Sequence, residues 1–450
     1  MSHLATRQPA RLDGSAFRLA RAVRESVAEA MAGGRRADPY SDPESAVRSD
    51  PVELARSYAA HAIDQHVAEL LAGGAEPPPA ADERAAVDLV VAMLFGLGVL
   101  QLFVDDDSVE NIDVNGAARA FVTYSDGTKE LVGPVADSDE ELVAMVRSAA
   151  ARFGLAERRF DHAQPELDLR LPDGSRLSAV MGVTEHPVVD IRRHRFADLD
   201  LSDLVGLGML DEQLASFLAA AVRAKRNILV SGAMNAGKTT LLRAMASEIP
   251  PGERIVTIEQ ALELGLERQR DRHPDCVAME ARLANTEGIG AITMAQLVRR
   301  SLRMNASRVI VGEVLGDEVI PMLNAMSQGR AGSMGTIHAD SSAGVFRRIA
   351  SYAVQAPERL PLEAVNLLIA GAVNFVVHVD LREPHSLRQI ASVREVVDAD
   401  GPLVVSNEVW RPAPDGRAAP GAPLRDSTAL ALAEHGYDVR HPSGLGALWS

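Results

Sequence analysis

The sequence predicts an α/β chain in which a domain built on a mostly parallel sheet follows a smaller α+β domain and a helical N-terminal extension. Three observations carry this. From about Leu201 onward, short apolar runs at residues 227–230, 254–258, 308–311 and 375–379 alternate with helical stretches, the pattern of strands buried on both faces. Residues 111–115 and 120–124, a helix over 139–153 and two short strands around Arg170 and Arg176 form a separate, mixed segment. A chain of 450 residues also exceeds what one hydrophobic core usually supports. The expected divisions are an extension and linker over 1–81, an α+β domain over 82–195, the α/β domain over 196–398 and a peripheral tail over 399–450.

In chain order, residues up to about Asp50 are rich in Arg, Ala, Ser, Asp and Pro. Leu19, Val23, Val27 and Met31 recur at helical spacing there, read as a marginal helix on an otherwise mobile tail. Asp50, Pro51 and Glu53 supply an N-cap, a first-turn proline and a capping-box acid, and Gly73-Gly74 a stop, which predicts a helix over 51–72. Residues 75–81 read as a stiff proline-containing linker. The apolar run 89–104 is shorter than the ~20 residues a membrane span needs and is flanked by Asp88 and Asp105, so it is expected as a buried helix plus turn. Residues 1–14 lack the apolar core of a signal peptide, which argues against export.

Around Pro172-Asp173-Gly174 the loop length decides which side chains meet. With Gly174 in the left-handed position of a three-residue loop, Leu171 pairs with Ser175 and Arg170 stands opposite Arg176. A two-residue turn would put the arginines on opposite faces. Like charges directly opposed are unfavourable unless an anion lies between them. The residues alone favour two solvated hairpin arginines over a pair that reaches nucleotide phosphates.

The most informative stretch is Gly232-Ala233-Met234-Asn235-Ala236-Gly237-Lys238-Thr239-Thr240, between an apolar run and a helix-forming one. It fits the phosphate-binding loop pattern in the strand–loop–helix context that pattern requires. Gly232 and Gly237 let the backbone turn so that N–H groups and the following helix N-terminus face an anion. Lys238 would reach the β- and γ-phosphates, and the Thr239 hydroxyl would ligate Mg²⁺. Ligands of such sheets bind at the carboxyl ends of the strands. Three further apolar runs end there on a chemically useful residue, Glu259, Glu313 or His338. A carboxylate so placed holds the Mg²⁺ water shell or polarises the attacking water, and a histidine senses the γ-phosphate.

Composition bounds the partners. Acidic residues outnumber basic ones, giving a formal net charge of −16, which argues against a generally basic nucleic-acid-binding surface. The single cysteine, Cys276, excludes an intramolecular disulfide and any multi-cysteine zinc site.

At this point the motifs carry a family. The phosphate-binding loop, then Thr257-Ile-Glu-Gln-Ala-Leu-Glu-Leu264, Val311-Gly-Glu-Val-Leu-Gly316 and Gly332-Ser-Met-Gly-Thr-Ile-His-Ala-Asp340, resemble in order those of the type II/type IV secretion ATPases. The likeness is closest to the branch that assembles Flp (tight-adherence, Tad) pilus fibres, and spans roughly residues 85–395. Upstream, Asn111-Ile-Asp-Val-Asn-Gly116, Leu169-Arg-Leu-Pro-Asp-Gly-Ser-Arg176 and Asp190-Ile-Arg-Arg193 resemble that family's N-terminal domain, which folds over the nucleotide. The resemblance implies a RecA-like ATPase domain using ATP and Mg²⁺. It makes Arg170 and Arg176 arginine fingers, puts Arg192 near the base, and assigns Glu259 to the acidic box, Glu313 to the Walker B motif and metal, and His338 to the histidine box. It also implies a hexameric ring at the cytoplasmic face of the inner membrane, with a membrane platform protein as partner and no transmembrane segment in this chain.

Four departures stand out: Gln260 where an Asp usually follows the box glutamate, Leu315 where an Arg follows Gly-Glu-Val, no Arg-Asp pair around Thr293–Gln296, and Asp340 in place of Asn. Gln260 and Leu315 fit an ion pair lost as a unit, which leaves catalysis intact, and equally a slow or non-hydrolysing subunit. The reading is therefore an ATP-driven assembly or secretion motor, with a nucleotide-gated scaffold as the alternative and a nucleic-acid motor disfavoured by charge.

Overall fold

A computed structural model describes residues 14–34, 50–153, 159–193, 199–282, 284, 288–382 and 387–438. The chain divides into two compact units, Met1–Arg195 and Phe196–Ser450.

In the first unit, helix α1 (Ser15–Gly34) buries Leu19, Ala20, Val23 and Val27 against Ala59 and Ile63 of α2 (Pro51–Ala72) and Ala86, Leu89 and Val90 of α3 (Ala80–Phe95). This corrects the expectation of a marginal helix on a tail. Alanines on all three helices let the backbones approach, and the ion pairs Arg21–Asp137, Arg24–Glu141 and Arg56–Asp88 tie the bundle and its surroundings together. Asp50 caps α2 by accepting the Val52 N–H at 3.0 Å. The apolar run over 89–104 becomes the end of α3, a turn through Gly98 (φ +58°) and the short helix α4 (Leu100–Val104). Among the described residues no helix is long and apolar enough to cross a membrane.

Behind these helices lie β1 (Val109–Asn115), β2 (Ala120–Tyr124), β3 (Lys129–Leu131), α5 (Asp139–Phe153), β4 (Glu166–Arg170), β5 (Arg176–Val180) and β6 (Val188–Arg192). The strands form one antiparallel sheet ordered β3-β2-β1-β6-β5-β4. Apart from an irregularity in β1 between Val109 and Asn111, its strands alternate: Ile112, Val114, Val122, Leu167, Leu169, Leu177, Ala179, Val189 and Ile191 face the core that holds α4 and α5. The opposite face is polar.

The second unit runs α6 (Leu201–Gly206), α7 (Glu212–Arg223), β7 (Ile228–Gly232), α8 (Lys238–Ala246), β8 (Ile255–Glu259), β9 (Cys276–Glu280), α9 (Met294–Ser301) and β10 (Arg308–Val314). It continues through α10 (Val319–Ser327), β11 (Met334–His338), α11 (Gly344–Gln355), α12 (Leu362–Ala372), β12 (Phe375–Arg382), β13 (Leu387–Asp400), β14 (Leu403–Pro412), β15 (Ala418–Pro420) and α13 (Asp426–Ala433). Among the described residues nine strands make one sheet, ordered β15-β14-β13-β12-β7-β11-β10-β8-β9. From β12 to β9 all neighbours are parallel; β13, β14 and β15 add antiparallel strands at one side. Adjacent strand residues point to opposite faces. Ile228 and Val230 join a core with α6, α7 and α8, whereas Leu229 joins one with α9, α10, α11 and α12. The expected mostly parallel α/β domain is what forms.

The expected tail after Asp398 instead belongs largely to this unit. The turn at Gly401 (φ +52°) reverses β13 into β14, and Trp410 of β14 is buried with its ring centroid 4.3 Å from Phe217 of α7, beside Phe375 and Tyr437. Prolines and glycines that suggested a tail lie at the turns between short strands and at strand ends, where they do not interrupt a buried ladder. Residues 439–450 of that expected tail lie outside the described residues.

Candidate nucleotide site

Strand β7 lies between β12 and β11, paired to both through Ile228–Gly232 and fully buried along its length. Asn227 anchors its start: Nδ2 donates to the carbonyls of Met326 (3.1 Å) and Ala372 (2.6 Å), while Oδ1 accepts the Ser333 N–H (3.0 Å). One side chain thus fixes the ends of three elements around the strand that feeds the loop.

The loop leaves β7 at Gly232 (φ +156°), where a Cβ would lie 2.3 Å from the Val379 carbonyl oxygen of β12. Only glycine permits that approach. Ala233, Met234 and Asn235 are exposed, Asn235 at φ +58°, and Ala236 is buried. Gly237 (φ +93°) starts α8 with no side chain capping the helix N-terminus. Thr239 and Thr240 are half-buried in its first turn. Two left-handed residues followed by an open helix N-terminus make a cradle of backbone donors that fits a phosphate.

Lys238 is 7% exposed; its Nζ donates to the Ala233 carbonyl (2.8 Å) and lies 3.2 Å from His338 Nδ1. His338, at the end of β11, places Nε2 2.5 Å from Glu313 Oε1 on β10. The order β7-β11-β10 therefore links the loop lysine, the histidine and the carboxylate in one line of contacts. Thr239 and Glu313 offer the hard oxygen donors that suit Mg²⁺. Among the described residues no three His, Cys, Asp or Glu side chains cluster to hold a metal unaided, so phosphate oxygens would have to complete its shell.

Glu259, at the end of the next strand β8, is 2% exposed. Its Oε1 accepts the N–H groups of Glu263 and Leu264, both at 2.9 Å, while Oε2 is buried with no hydrogen-bond partner among the described residues. Burial pushes its carboxyl up to about 8, against those two backbone donors, which favours the protonated acid at pH 7. Its Cγ would lie 2.8 Å from a Cβ on Gly312, so glycine there lets the side chain lie across β10 one residue before Glu313. In this conformation Glu259 is a packed neutral acid.

Two of the four departures have a local explanation. Thr293 and Gln296 form a reciprocal capping box at the start of α9, which is what occupies the place of the expected Arg-Asp pair. Leu315 is exposed, and its N–H together with that of Gly316 is held by Glu318 Oε1.

In the first unit the hairpin loop has three residues. Gly174 (φ +96°) is left-handed, the Leu171 N–H donates to Ser175 (2.8 Å), and Arg170 pairs directly with Arg176. Arg176 in turn pairs with Arg192 on β6. All three arginines therefore share one row on the polar face of the sheet. Asp168 lies 3.4 Å from Arg176 and offsets part of that charge.

Two residues near the loop escaped the sequence reading. His378 of β12 places Nδ1 3.0 Å from the Ser231 hydroxyl, and burial lowers its basicity. Arg388 of β13 donates from Nε to the Asn235 carbonyl at 2.9 Å. Neither carries a local motif; only the strand order brings them to the loop.

A central parallel strand feeding such a loop, with a lysine, a histidine and a carboxylate in contact at the strand ends, defines a P-loop nucleotide-binding domain. The chain belongs to the type II/IV secretion system protein family, whose sequence profile matches residues 96–395. A putative conjugal transfer protein of Mycobacterium tuberculosis is 36% identical over 342 residues, covering 74% of this chain and 93% of that protein. The type IV secretion system protein VirB11 of Brucella suis is 30% identical over 323 residues, covering 66% of this chain and 87% of that protein. The crystal structure of the VirB11 ATPase from Brucella suis in complex with sulphate covers 67% of this chain and 97% of that chain, at 28% identity and a TM-score of 0.36. Family membership rests on the sequence matches.

Proposed function

We propose that the chain is an ATP-hydrolysing motor of a type II/IV-like secretion or pilus-assembly machine. The observation that carries this is the contact line Lys238–His338–Glu313, which joins the phosphate-binding loop to the strand-end carboxylate. ATP would lie with its β- and γ-phosphates on the backbone donors of 233–239 and on Lys238. Mg²⁺, held by the Thr239 hydroxyl and on the Glu313 side, would neutralise charge between those phosphates. Glu313 takes the proton of the water that attacks the γ-phosphorus as the bond to the bridging oxygen breaks, leaving ADP and phosphate. His338 loses its contact with Lys238 when that lysine turns to phosphate, and so passes the presence of nucleotide on to Glu313.

The arginine row Arg170–Arg176–Arg192 is assigned to the nucleotide's outer side, with Arg170 and Arg176 on the phosphates and Arg192 near the base. This assignment rests on the resemblance and on like charges being held in register. The division of labour follows: residues 82–195 cover the nucleotide, 196–398 bind and hydrolyse it, and 1–81 form an accessory extension. A hexameric ring, a membrane platform partner, a place at the cytoplasmic face of the inner membrane and the Flp/Tad branch also rest on the resemblance.

A second reading, a nucleotide-gated scaffold that does not hydrolyse, is favoured by the neutral, packed Glu259 and by Gln260 and Leu315. Steady-state hydrolysis with Mg²⁺, run beside Glu313→Gln and Lys238→Ala, separates the two. The motor reading expects turnover by wild type, nucleotide binding without turnover by Glu313→Gln, and neither by Lys238→Ala. Binding by wild type with hydrolysis no faster than Glu313→Gln would replace it with the scaffold.

A further inference from the structure

We propose that Arg388, on β13, is a positioning residue that holds the tip of the phosphate-binding loop in its anion-binding shape; this rests on the nucleotide-binding reading above. Three observations converge. Its Nε donates to the carbonyl of Asn235, a non-glycine residue in the left-handed region at φ +58°. Its stem lies along the next left-handed residue, with Cδ 3.2 Å and Cβ 3.9 Å from where a Cβ on Gly237 would be. Among the described residues the ion pairs of β12 to β14 run Arg382–Asp380 and Arg394–Glu408 and leave Arg388 to the loop carbonyl.

The left-handed turn at Asn235 directs loop N–H groups toward an anion and turns this carbonyl to β13. A left-handed asparagine relaxes readily unless something opposes it. The guanidinium bond to its carbonyl is such a restraint, and the packed stem keeps Gly237 in place beneath it. Met209, in the turn before α7 of the same unit, braces the same glycine: its Cε is 3.5 Å from the Gly237 Cβ position, and the Ile390 N–H of β13 donates to the Met209 carbonyl at 2.9 Å. Strand β13 thus backs the loop through a charged contact and an apolar one. Because the loop carries the nucleotide in both ground and transition states, its loosening weakens binding and leaves the chemical step largely intact.

The test is equilibrium binding of a fluorescent ADP analogue to the full chain, with ATP turnover alongside, for wild type, Arg388→Met, Arg388→Lys, Asn235→Gly and Asn235→Gly with Arg388→Met. Arg388→Met should weaken ADP binding about ten-fold and raise KM with kcat within about two-fold, since one charge-assisted bond and its ordering are lost. Arg388→Lys, which keeps the charge and one donor, should fall between. Glycine at 235 adopts the turn without strain, so Arg388→Met should cost much less in that background. Equal affinity of wild type and Arg388→Met overturns the proposal, as does an equal loss in both backgrounds, which would make Arg388 a source of charge alone. Absence of ADP binding by wild type overturns the nucleotide reading itself, a result distinct from either. If Arg388→Met lowers the thermal midpoint, the Asn235→Gly background and Arg388→Lys still decide the matter.

Discussion

Glu259 makes the stability of the second unit depend on pH in a direction opposite to that of ordinary surface carboxylates. Burial raises its carboxyl from 4.5 to about 8, so between these values the folded state keeps a proton that the unfolded chain has released. By linkage, its contribution is fully present below pH 4.5, is lost progressively as pH rises toward 8, and levels off above that. Three and a half pH units at 1.36 kcal/mol each amount to about 5 kcal/mol, of which roughly 3 falls between pH 5 and pH 8. Glu259→Gln mimics the neutral acid. Its amide oxygen accepts the same Glu263 and Leu264 N–H groups, and its NH₂ takes the place of the unpartnered Oε2. Urea unfolding followed by circular dichroism should give equal stabilities for wild type and Glu259→Gln at pH 5, with the variant pulling ahead as pH rises to 8. Parallel curves over that range would refute the assignment of a buried, neutral Glu259. The same variant should still bind nucleotide, because none of its contacts reach the phosphate-binding loop.

Two further substitutions test the frame around the loop. Asn227→Ala removes three buried hydrogen bonds and strands two carbonyls and one N–H, which should cost about 3 kcal/mol or more, read as a lower urea midpoint with an unchanged slope. Gly232→Ala drives a methyl to 2.3 Å from the Val379 carbonyl oxygen, so β7 and β12 must part at the loop. It should cost about 1–3 kcal/mol and abolish binding of the ADP analogue, and a variant that binds normally would show that the loop tolerates the shift.

Much of this was legible in the residues, for identifiable reasons. Strands β7, β8, β10 and β12 announce themselves as apolar runs because parallel strands covered on both faces have no polar side. The hairpin at Gly174 fixes its own register through loop length, so the opposition of Arg170 and Arg176 followed from spacing. Strand β9 went unread although Cys276–Met279 is a short apolar run, because it lies half-buried at the sheet edge and no strong turn signal sets it apart. Strands β13 and β14 carry Arg394, Glu395 and Glu408 among their apolar residues, and these charges are satisfied by partners distant in sequence: Arg394 by Glu408, Glu395 by Arg425. Helix α1 showed an apolar stripe, but a stripe does not say what covers it, and the alanines of α2 and α3 that do so look featureless. At the site, the motifs named Lys238, Glu313 and His338 singly. Their contact depends on β11 lying between β7 and β10, an order no local pattern encodes. The raised pKa of Glu259 was equally hidden, since its largest cause is burial, beside Gly312, which no local pattern encodes.

The aromatic stack around Trp410 gives the second unit its own optical signal. The chain holds two tryptophans, Trp410 and Trp449, and neither falls within residues 1–195. Trp410 is 4% exposed and packed at a tilt on Phe217, with Tyr437 6.5 Å away, so its emission in the native state should be blue-shifted and sensitive to the seating of β14 on α7. Intrinsic fluorescence excited at the indole band therefore reports unfolding of the nucleotide-binding unit without contribution from tryptophan in the other. Circular dichroism, in contrast, sums both. A difference between the two melting curves would measure how far the units lose structure independently.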